Sequence, residues 1–579
     1  MNTPISTKRH SLAHLLASAV LELWPSAKLA IGPDIDTGFY YDIDFGETKI
    51  SEADLKTIEK KMSHLAKQNL DFSHEEQELT LALAAAKERQ EDYKVEIIED
   101  LAKEGETKLS FYTVGKFTDL CRGPHVANTK EIKPGSFKLH KLAGAYWRGD
   151  EKNKMLTRIY GLAFDTKEEL AAHLLMLAEA EKRDHRQLGK ELDLFMLHDF
   201  APGMPFFLPK GFVLLSQLTK LVREISYGPG YQEVRTPHLL NAELWKTSGH
   251  WDHYQEDMFI IHQAEGESDY GVKPMNCPAH MLVFKRNLHS YRDLPLRLAE
   301  TSTLYRNEKS GTLHGLTRVR SLSQDDSHLF CRPDQILEEI IALLDRVKQV
   351  YQIFSLEIDE IHLSTRPDSF LGEKEVWDEA EDNLKTALET ANLAYTINEG
   401  DGAFYGPKID VKVKDAIGRQ WQLATIQLDF QLPQRFELKY TDAAGQAQTP
   451  VVIHRAILGS IERFLGVIIE HYAGAFPVWL APVQVKLISV AEAHQAACQE
   501  LAELFSKAGI RVELDGSNET VGNKIRKATQ EKVPYLLVIG DQEMNSTTLA
   551  VRDRGTNETR AISRSDFIQE ILDKNSRYQ

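Results

Sequence analysis

Apolar and polar residues alternate differently in four stretches of the chain. Residues 1 to about 165 mix helical and strand patterns. "HSLAHLLASAVLEL" (10–23) carries apolar residues at helical spacing, and an acidic helical stretch follows near 79–105. "DTKEELAAHLLMLAEAEKRDHRQLGKEL" (165–192) predicts one linker helix over 166–190, with Thr166 and Glu169 spaced as a capping box. Its apolar first half and charged second half suit a helix that leaves one core for another. Residues 191–477 read as strands between Gly- and Pro-bearing loops. From 478 to 579 the pattern becomes β-α-β-α-β, with strands "VQVKLISV", "IRVEL" and "YLLVIG" and helices ending near Gly509 and before Pro534. The expectation is a multidomain α+β protein with a compact α/β domain at its C-terminal end. No internal repeat or low-complexity segment is present.

Composition narrows the class. A chain of 579 residues, 42 % apolar and 27 % charged, is large enough for several soluble domains. No apolar run approaches a membrane span, and the N-terminus lacks a signal-type apolar segment, so no membrane partner is expected. Four cysteines (121, 277, 331, 498) without paired spacing point to a reducing, cytoplasmic setting. A net charge of −17 argues against a protein that coats nucleic acid, and no DNA partner is expected. It leaves room for a large enzyme that grips RNA through local basic patches.

Several motifs carry chemistry. There is no P-loop. "GDGAFYG" (400–406) approaches a dinucleotide fingerprint but has the wrong final spacing, and the "KIDVKV" after it alternates as a strand. In "KPMNCPAH" (273–280), Pro274 and Pro278 flank Cys277 and predict an extended or turned path outside regular helix or sheet. "TLYRNEKSGTLHGLTRVRSLSQDDSHLFC" (303–331) predicts a hairpin. Period 2 sets Arg306 with Glu308 on one face, and Arg318, Arg320, Gln324, Asp326 and His328 on another. "HSLAH" puts His10 and His14 on one helix face, and "FTDLCRGPHV" brings Asp119, Cys121 and His125. By spacing alone this second set is a zinc candidate. No Glu follows His10, which excludes the metalloprotease pattern.

The 303–331 run resembles motif 2 of the class II aminoacyl-tRNA synthetases. "GYQEVRTPHL", with Pro237, resembles motif 1, and "HRAILGSIERF" resembles motif 3. Together with "KPMNCPAH", "GDGAFYGPKID" and "WQLATIQLDF", the chain resembles the threonyl-tRNA synthetases from about residue 8 to its end. The chain is therefore expected to lack the small β-rich N-terminal domain that many members carry, an absence that should leave activation and editing intact. The resemblance implies an N-terminal editing domain (1–165), the linker helix (166–190), a class II antiparallel-sheet catalytic domain (191–477) and an anticodon-binding domain (478–579).

In that family a Cys and two His bind zinc at the floor of the amino-acid pocket. The matching residues are Cys277, His328 and His454, with Cys331 a rival ligand by spacing. Three protein ligands leave one position open. Threonine can offer its amino group and hydroxyl to such a metal, and valine lacks the hydroxyl. A site built on a polar contact rejects the analogue that lacks it. Serine lacks only a methyl, worth about 0.8 kcal/mol by transfer and roughly 10–200-fold at best, so a second site should remove Ser-tRNA. His10, His14, Lys94, Asp119, Cys121 and His125 match that editing pocket, which in this family works without metal. A second zinc there is the alternative.

The resemblance implies that Arg306 holds the ATP α-phosphate, Arg463 reaches the far phosphates and Mg²⁺ bridges them. Glu308 contacts adenine or the hairpin itself. Asp326 receives the substrate ammonium, and Arg318, Gln324, Tyr405, Lys408, Gln422, Thr425, Gln427 and Ser460 line the pocket. His250 is a candidate proton acceptor in transfer. Asn518, Arg526, Glu543 and Arg552 stand where the family reads the anticodon of tRNA(Thr). L-threonine, ATP, tRNA(Thr) and a second copy of the chain are the implied partners. One position departs from the pattern: Leu322 stands where an aromatic stacks on adenine, which predicts weaker ATP binding. The alternatives are a synthetase-like paralogue that binds RNA without charging it, a stand-alone editing hydrolase and a generic zinc hydrolase. Intact Arg306, Arg463 and the three zinc-ligand positions speak against the first, motifs 1 to 3 against the second, and the lack of a general base at a recognisable spacing from the ligands against the third.

Overall fold

The structure is a computed structural model that describes residues 3–228, 230–556 and 558–579. The chain divides into two units, one ending at Ala178 and the other spanning Glu179–Gln579.

In the first unit the helix Ile5–Leu23 buries Leu12, Leu15, Leu16 and Val20 in a core shared with the strands Gly38–Asp44, Phe137–Tyr146 and Met155–Ala163. These strands form one antiparallel sheet. A second sheet pairs Phe72–Glu78, Lys108–Val114 and Phe117–Leu120. The acidic stretch near 79–105 is two helices, Leu79–Glu88 and Asp92–Lys103, separated at Gln90, which takes positive φ.

The linker is not one helix. Lys167–Arg183 opens with the expected box, since Glu169 N donates to Thr166 Oγ1 and Thr166 N donates to Glu169 Oε2. The helix stops at Asp184, whose side chain accepts from Arg186 N and caps a second helix, His185–Glu191. The division between the two units falls within the first of these helices.

The second unit is built on an eight-stranded sheet. Its order is Tyr231–Glu233, Leu296–Glu300, Asp326–Cys331, Val451–Ala456, Gln420–Asp429, Lys408–Lys414, Glu357–Ser364, Thr396–Asn398. All pairs are antiparallel except the two at the edges. Alternation sorts the central strands: Leu329, Cys331, Val451 and Ile453 face the large core with the helices Ile336–Ile353 and Ile461–His471. Phe330 and Val452 face the other way, into a cluster with Cys277, Met281 and Phe284.

Two local expectations change. "KPMNCPAH" is irregular only as far as Asn276, and Cys277 opens the helix Cys277–Lys285. Pro278 sits in its first turn, where the missing N–H would have had no partner. The motif 2 hairpin is short: Thr303–Tyr305 pairs with Ser321–Ser323, an isolated bridge joins His314 and Arg318, and Asp326–Cys331 joins the main sheet. Arg306, Glu308, Arg318 and Arg320 therefore lie in loops, and period-2 faces do not govern them. Arg318 instead pairs with Glu308 at 2.9 Å, and Arg320 Nε donates to the Glu308 carbonyl.

The C-terminal sheet centres on Val485–Ser489, with Val512–Asp515 and Tyr535–Ile539 parallel on either side. The antiparallel strands Thr548–Asp553 and Thr559–Ser563 extend it beyond the expected β-α-β-α-β. Among the described residues no helix is long and apolar enough to cross a membrane.

A fully buried ion pair ties the eight-stranded sheet to its surroundings. Arg455 meets Asp325 at 3.3 Å and donates to Ser226 O, while Asp325 accepts from the backbone N–H of Ile457, Leu458 and Gly459. Removing one partner strands a buried charge. Arg455→Ala is expected to cost about 3–5 kcal/mol, read as a lowered denaturant midpoint of the second unit.

Candidate functional site

Two histidines stand side by side because their strands are in register: His328 lies directly opposite His454. The N-terminus of the helix Cys277–Lys285 brings Cys277 to them, and the three ligand atoms lie within 4.8 Å of one another, all buried. Each imidazole has one nitrogen engaged elsewhere. His454 Nε2 is 2.8 Å from Asp429 Oδ2, and His328 Nδ1 is 2.8 Å from His280 Nδ1. That leaves His454 Nδ1 and His328 Nε2 as donors. Fixing one ring nitrogen to expose the other is what outer-layer partners do for metal-binding histidines. A thiol and two such imidazoles fit zinc. Cys331 is no ligand: three residues on from His328 along a strand, it faces the opposite side and is buried in the large core.

Two cavities open over this floor. One, of about 470 Å³, is lined by Cys277, His328, His454, Asp326, Tyr405, Lys408 and Gln427. The other, of about 450 Å³, is lined by Glu308, Arg318, Leu322, Gln422, Ser460 and Arg463. Arg306, Gln324 and Thr425 line both. Asp326 accepts from Asn276 Nδ2 at 3.0 Å, and burial raises its carboxyl. Gly406 must lack a side chain, since a Cβ there would meet Leu428 O at 2.0 Å. Its carbonyl accepts from Gln427 Nε2.

Asp410, which sequence reasoning missed, organises much of this wall. It accepts from Gln422 Nε2 at 2.6 Å, Thr425 Oγ1 at 2.9 Å and Ser364 Oγ at 3.0 Å, and it pairs with Lys408 at 2.8 Å. Burial alone would lower the Lys408 ammonium, but Asp410 and Asp401 raise it. The available signal was period 2, which puts Lys408 and Asp410 on one face of "KIDVKV".

The second cavity is cationic. Arg463 is buried enough that its pKa falls, and its Nε has no hydrogen-bond partner among the described residues. Ser460 caps the helix Ile461–His471, accepting from Arg463 N. Leu322 packs on Leu304 and Val319 at the cavity wall. His250 does not line either cavity. It is fully buried, with Nδ1 on Ser248 Oγ and Nε2 on Met275 Sδ, and burial lowers its pKa to about 3. In this arrangement both of its ring nitrogens have partners. It supports Met275 from behind.

In the first unit the helix Ile5–Leu23 presents His10 and His14. Cys121 Sγ lies 3.2 Å from both His10 Nε2 and His125 Nε2. The donor atoms of His10, His14, Cys121 and His125 fall within 4.8 Å of one another. Lys94 pairs with Asp119 at 2.6 Å, and Tyr41 OH donates to the same carboxylate. A cavity of about 730 Å³ is lined by His10, His14, Lys94, Asp119 and Cys121, while His125 stands behind Cys121, stacked on Phe72. Burial pushes the Cys121 thiol up to about 11 and lowers His10 and His125, the latter to about 2. The thiol is protonated and the imidazoles are neutral. Ser11, bonded to His125 Nδ1 and Val126 N, and Tyr41 were not legible as site residues.

The four C-terminal candidates come from different elements of the last domain. Asn518 follows Val512–Asp515, and Glu543 follows Tyr535–Ile539, both at the C-terminal ends of parallel strands. Arg526 lies halfway along the helix Val521–Gln530 and donates to Asn523 Oδ1. Arg552 stands opposite Leu536, at the other end of that strand.

Known families match all three regions. "tRNA synthetase class II core domain (G, H, P, S and T)" matches residues 259–472, "Anticodon binding domain" matches 479–574, and "Threonyl and Alanyl tRNA synthetase second additional domain" matches 109–160. The chain is 52 % identical over 562 residues to a threonine–tRNA ligase of Clostridium novyi, covering 97 % of this chain and 87 % of the relative. It is 50 % identical over 564 residues to one of Carboxydothermus hydrogenoformans, covering 97 % and 88 %. A solved structure of the RNA binding domain of threonyl-tRNA synthetase from Cryptosporidium parvum Iowa II aligns with TM-score 0.65 at 42 % identity, covering 67 % of this chain and 98 % of that one. Similarity of that degree along nearly the whole chain decides the matter: the protein belongs to the threonine–tRNA ligase family of class II aminoacyl-tRNA synthetases.

Proposed function

We propose that this protein activates L-threonine with ATP, transfers it to tRNA(Thr) and hydrolyses mischarged Ser-tRNA(Thr). The observation that carries the reading is the meeting of two cavities at Arg306, Gln324 and Thr425, one floored by the metal-donor trio and the other walled by arginines. Such a junction places an amino-acid carboxylate beside an α-phosphate. Zinc held by Cys277, His328 and His454 would take threonine's amino group and hydroxyl as ligands and so exclude valine. Asp326 receives the ammonium. Arg306 neutralises charge at the α-phosphorus as the carboxylate attacks and pyrophosphate departs, and Arg463 and Arg318, with Mg²⁺, hold the departing phosphates. The unpartnered Nε of Arg463 is the kind of buried donor that an anion completes.

Editing uses the other cavity. The protonated Cys121 is no nucleophile there, so water attacks the seryl ester carbon. Neutral His10 accepts the water's proton, and Lys94, held by Asp119 and Tyr41, faces the developing oxyanion. As the ester C–O bond breaks, the proton returns from His10 to the departing ribose oxygen, releasing serine and tRNA. A second reading gives this pocket its own metal. It is favoured by the four clustered donors and by His14 Nδ1, which is buried without a partner among the described residues. The assembly is a cytoplasmic homodimer joined through motif 1, and Asn518, Arg526, Glu543 and Arg552 contact anticodon bases.

ATP–pyrophosphate exchange should be strong with threonine, weaker with serine and absent with valine. Metal analysis should give one zinc per chain, lost in His454→Ala. Two zincs, one surviving that change, would favour the second reading. No exchange with threonine in zinc-loaded protein would favour a non-charging RNA-binding paralogue. Lys94→Ala should slow Ser-tRNA(Thr) deacylation by about 10²–10⁴-fold and leave threonine exchange unchanged. Leu322→Phe should lower the ATP KM roughly two- to ten-fold, the value of a ring stacked on adenine. An unaltered KM would mean that leucine already covers the base adequately.

A further inference from the structure

The buried groups behind His328 form a chain that neither cavity uses directly. Glu300 ends the strand Leu296–Glu300 and is almost wholly buried. Its carboxylate accepts from Thr236 N at 3.0 Å, Thr236 Oγ1 at 2.8 Å, Lys273 Nζ at 2.9 Å and His280 Nε2 at 3.1 Å. Lys273 also donates to Ser302 Oγ and Thr236 Oγ1, so the one buried ammonium both balances Glu300 and has its own donors satisfied. His280 Nδ1 then meets His328 Nδ1 at 2.8 Å.

We propose that Lys273, Glu300 and His280 fix the proton of His328 on Nδ1 and so present its Nε2 to the metal, with His280 as the positioning residue. This rests on the reading of Cys277, His328 and His454 as a zinc site.

The argument is one of donors and acceptors. An ionised carboxylate only accepts, so His280 carries its proton on Nε2. Its Nδ1 is then a lone pair, and the short contact requires His328 Nδ1 to be the donor. His328 Nε2 is left bare, 4.0 Å from Asp326 Oδ1. With the chain broken, His328 can place its proton on Nε2 and cease to be a ligand. His454 needs no such chain, because Asp429 takes its Nε2–H directly. The helix Cys277–Lys285 thus supplies a ligand and, three residues on, the residue that prepares another ligand. "KPMNCPAH" contributes both, together with Lys273.

The test compares His280→Asn with His280→Gln in the full chain. The asparagine amide reaches about where Nδ1 lay and keeps an acceptor for His328. The glutamine amide reaches about where Nε2 lay and keeps only the contact with Glu300. Zinc affinity is read by competition with a chromophoric chelator, alongside KM for threonine and for ATP. His280→Gln is expected to weaken zinc about 10–100-fold and to raise the threonine KM but not the ATP KM, with His280→Asn close to the parent. Equal affinities in the two folded variants, or the reverse order, would overturn the proposal. If the parent chain binds no zinc, or Cys277→Ser loses none, the zinc reading itself fails. A chain that binds zinc through Cys277 yet ignores the choice of Asn or Gln refutes only the role of His280.

Discussion

The site depends first on strand register. His328 and His454 face the same cavity only because Asp326–Cys331 and Val451–Ala456 pair with these two residues directly opposed. A slip of one residue would bring Leu329 or Ile453 to the cavity and send the histidines into the core. The large apolar face makes that slip costly, since Leu329, Cys331, Val451 and Ile453 are packed against the helices Ile336–Ile353 and Ile461–His471. Core packing on one face of the sheet thus sets the donor geometry on the other.

Around that register lie buried charges that would be liabilities if left alone. Asp325 with Arg455, Glu300 with Lys273 and Asp410 with Lys408 each remove a carboxylate from water, and each carboxylate accepts several hydrogen bonds in return. Buried ion pairs contribute little net stability, so specificity is the better account of their presence. Asp325 gathers the N–H groups of Ile457–Gly459 just before Ser460 and Arg463. Asp410 gathers Lys408, Gln422 and Thr425. In both cases a hidden carboxylate arranges residues that line the two cavities.

In the proposed function the two cavity systems handle selection by different physics. Discrimination against valine rests on a polar contact, where a missing hydroxyl leaves a desolvated partner unsatisfied. Discrimination against serine cannot, because serine has every polar group that threonine has. That asymmetry is why a single pocket is insufficient, and why the proposed function assigns the cluster of His10, His14, Cys121 and His125 in the first unit to a separate hydrolysis.

Much was legible in the chain itself. Apolar spacing placed the helix bearing His10 and His14 and the strands "KIDVKV" and "YLLVIG", the last apolar throughout because core packs on both of its faces. Motif residues marked Cys277, His328 and His454, which the fold clusters, and the arginines that line the second cavity. Sequence spacing could not exclude Cys331. Only the sheet did so, by sending i and i+3 to opposite faces. Nor could it foresee that Asp184 breaks the linker helix, since the cap becomes visible only once His185 is held by Glu470. His250, a candidate proton acceptor by sequence, is buried behind Met275, and burial lowers its pKa. The hubs Asp410, Asp429, Glu300 and His280 act through partners that are mostly distant in sequence. One chain determines which residues can donate, accept or bind metal, but hydrogen bonds and burial between distant segments exist only after folding, and they decided which of those residues do so.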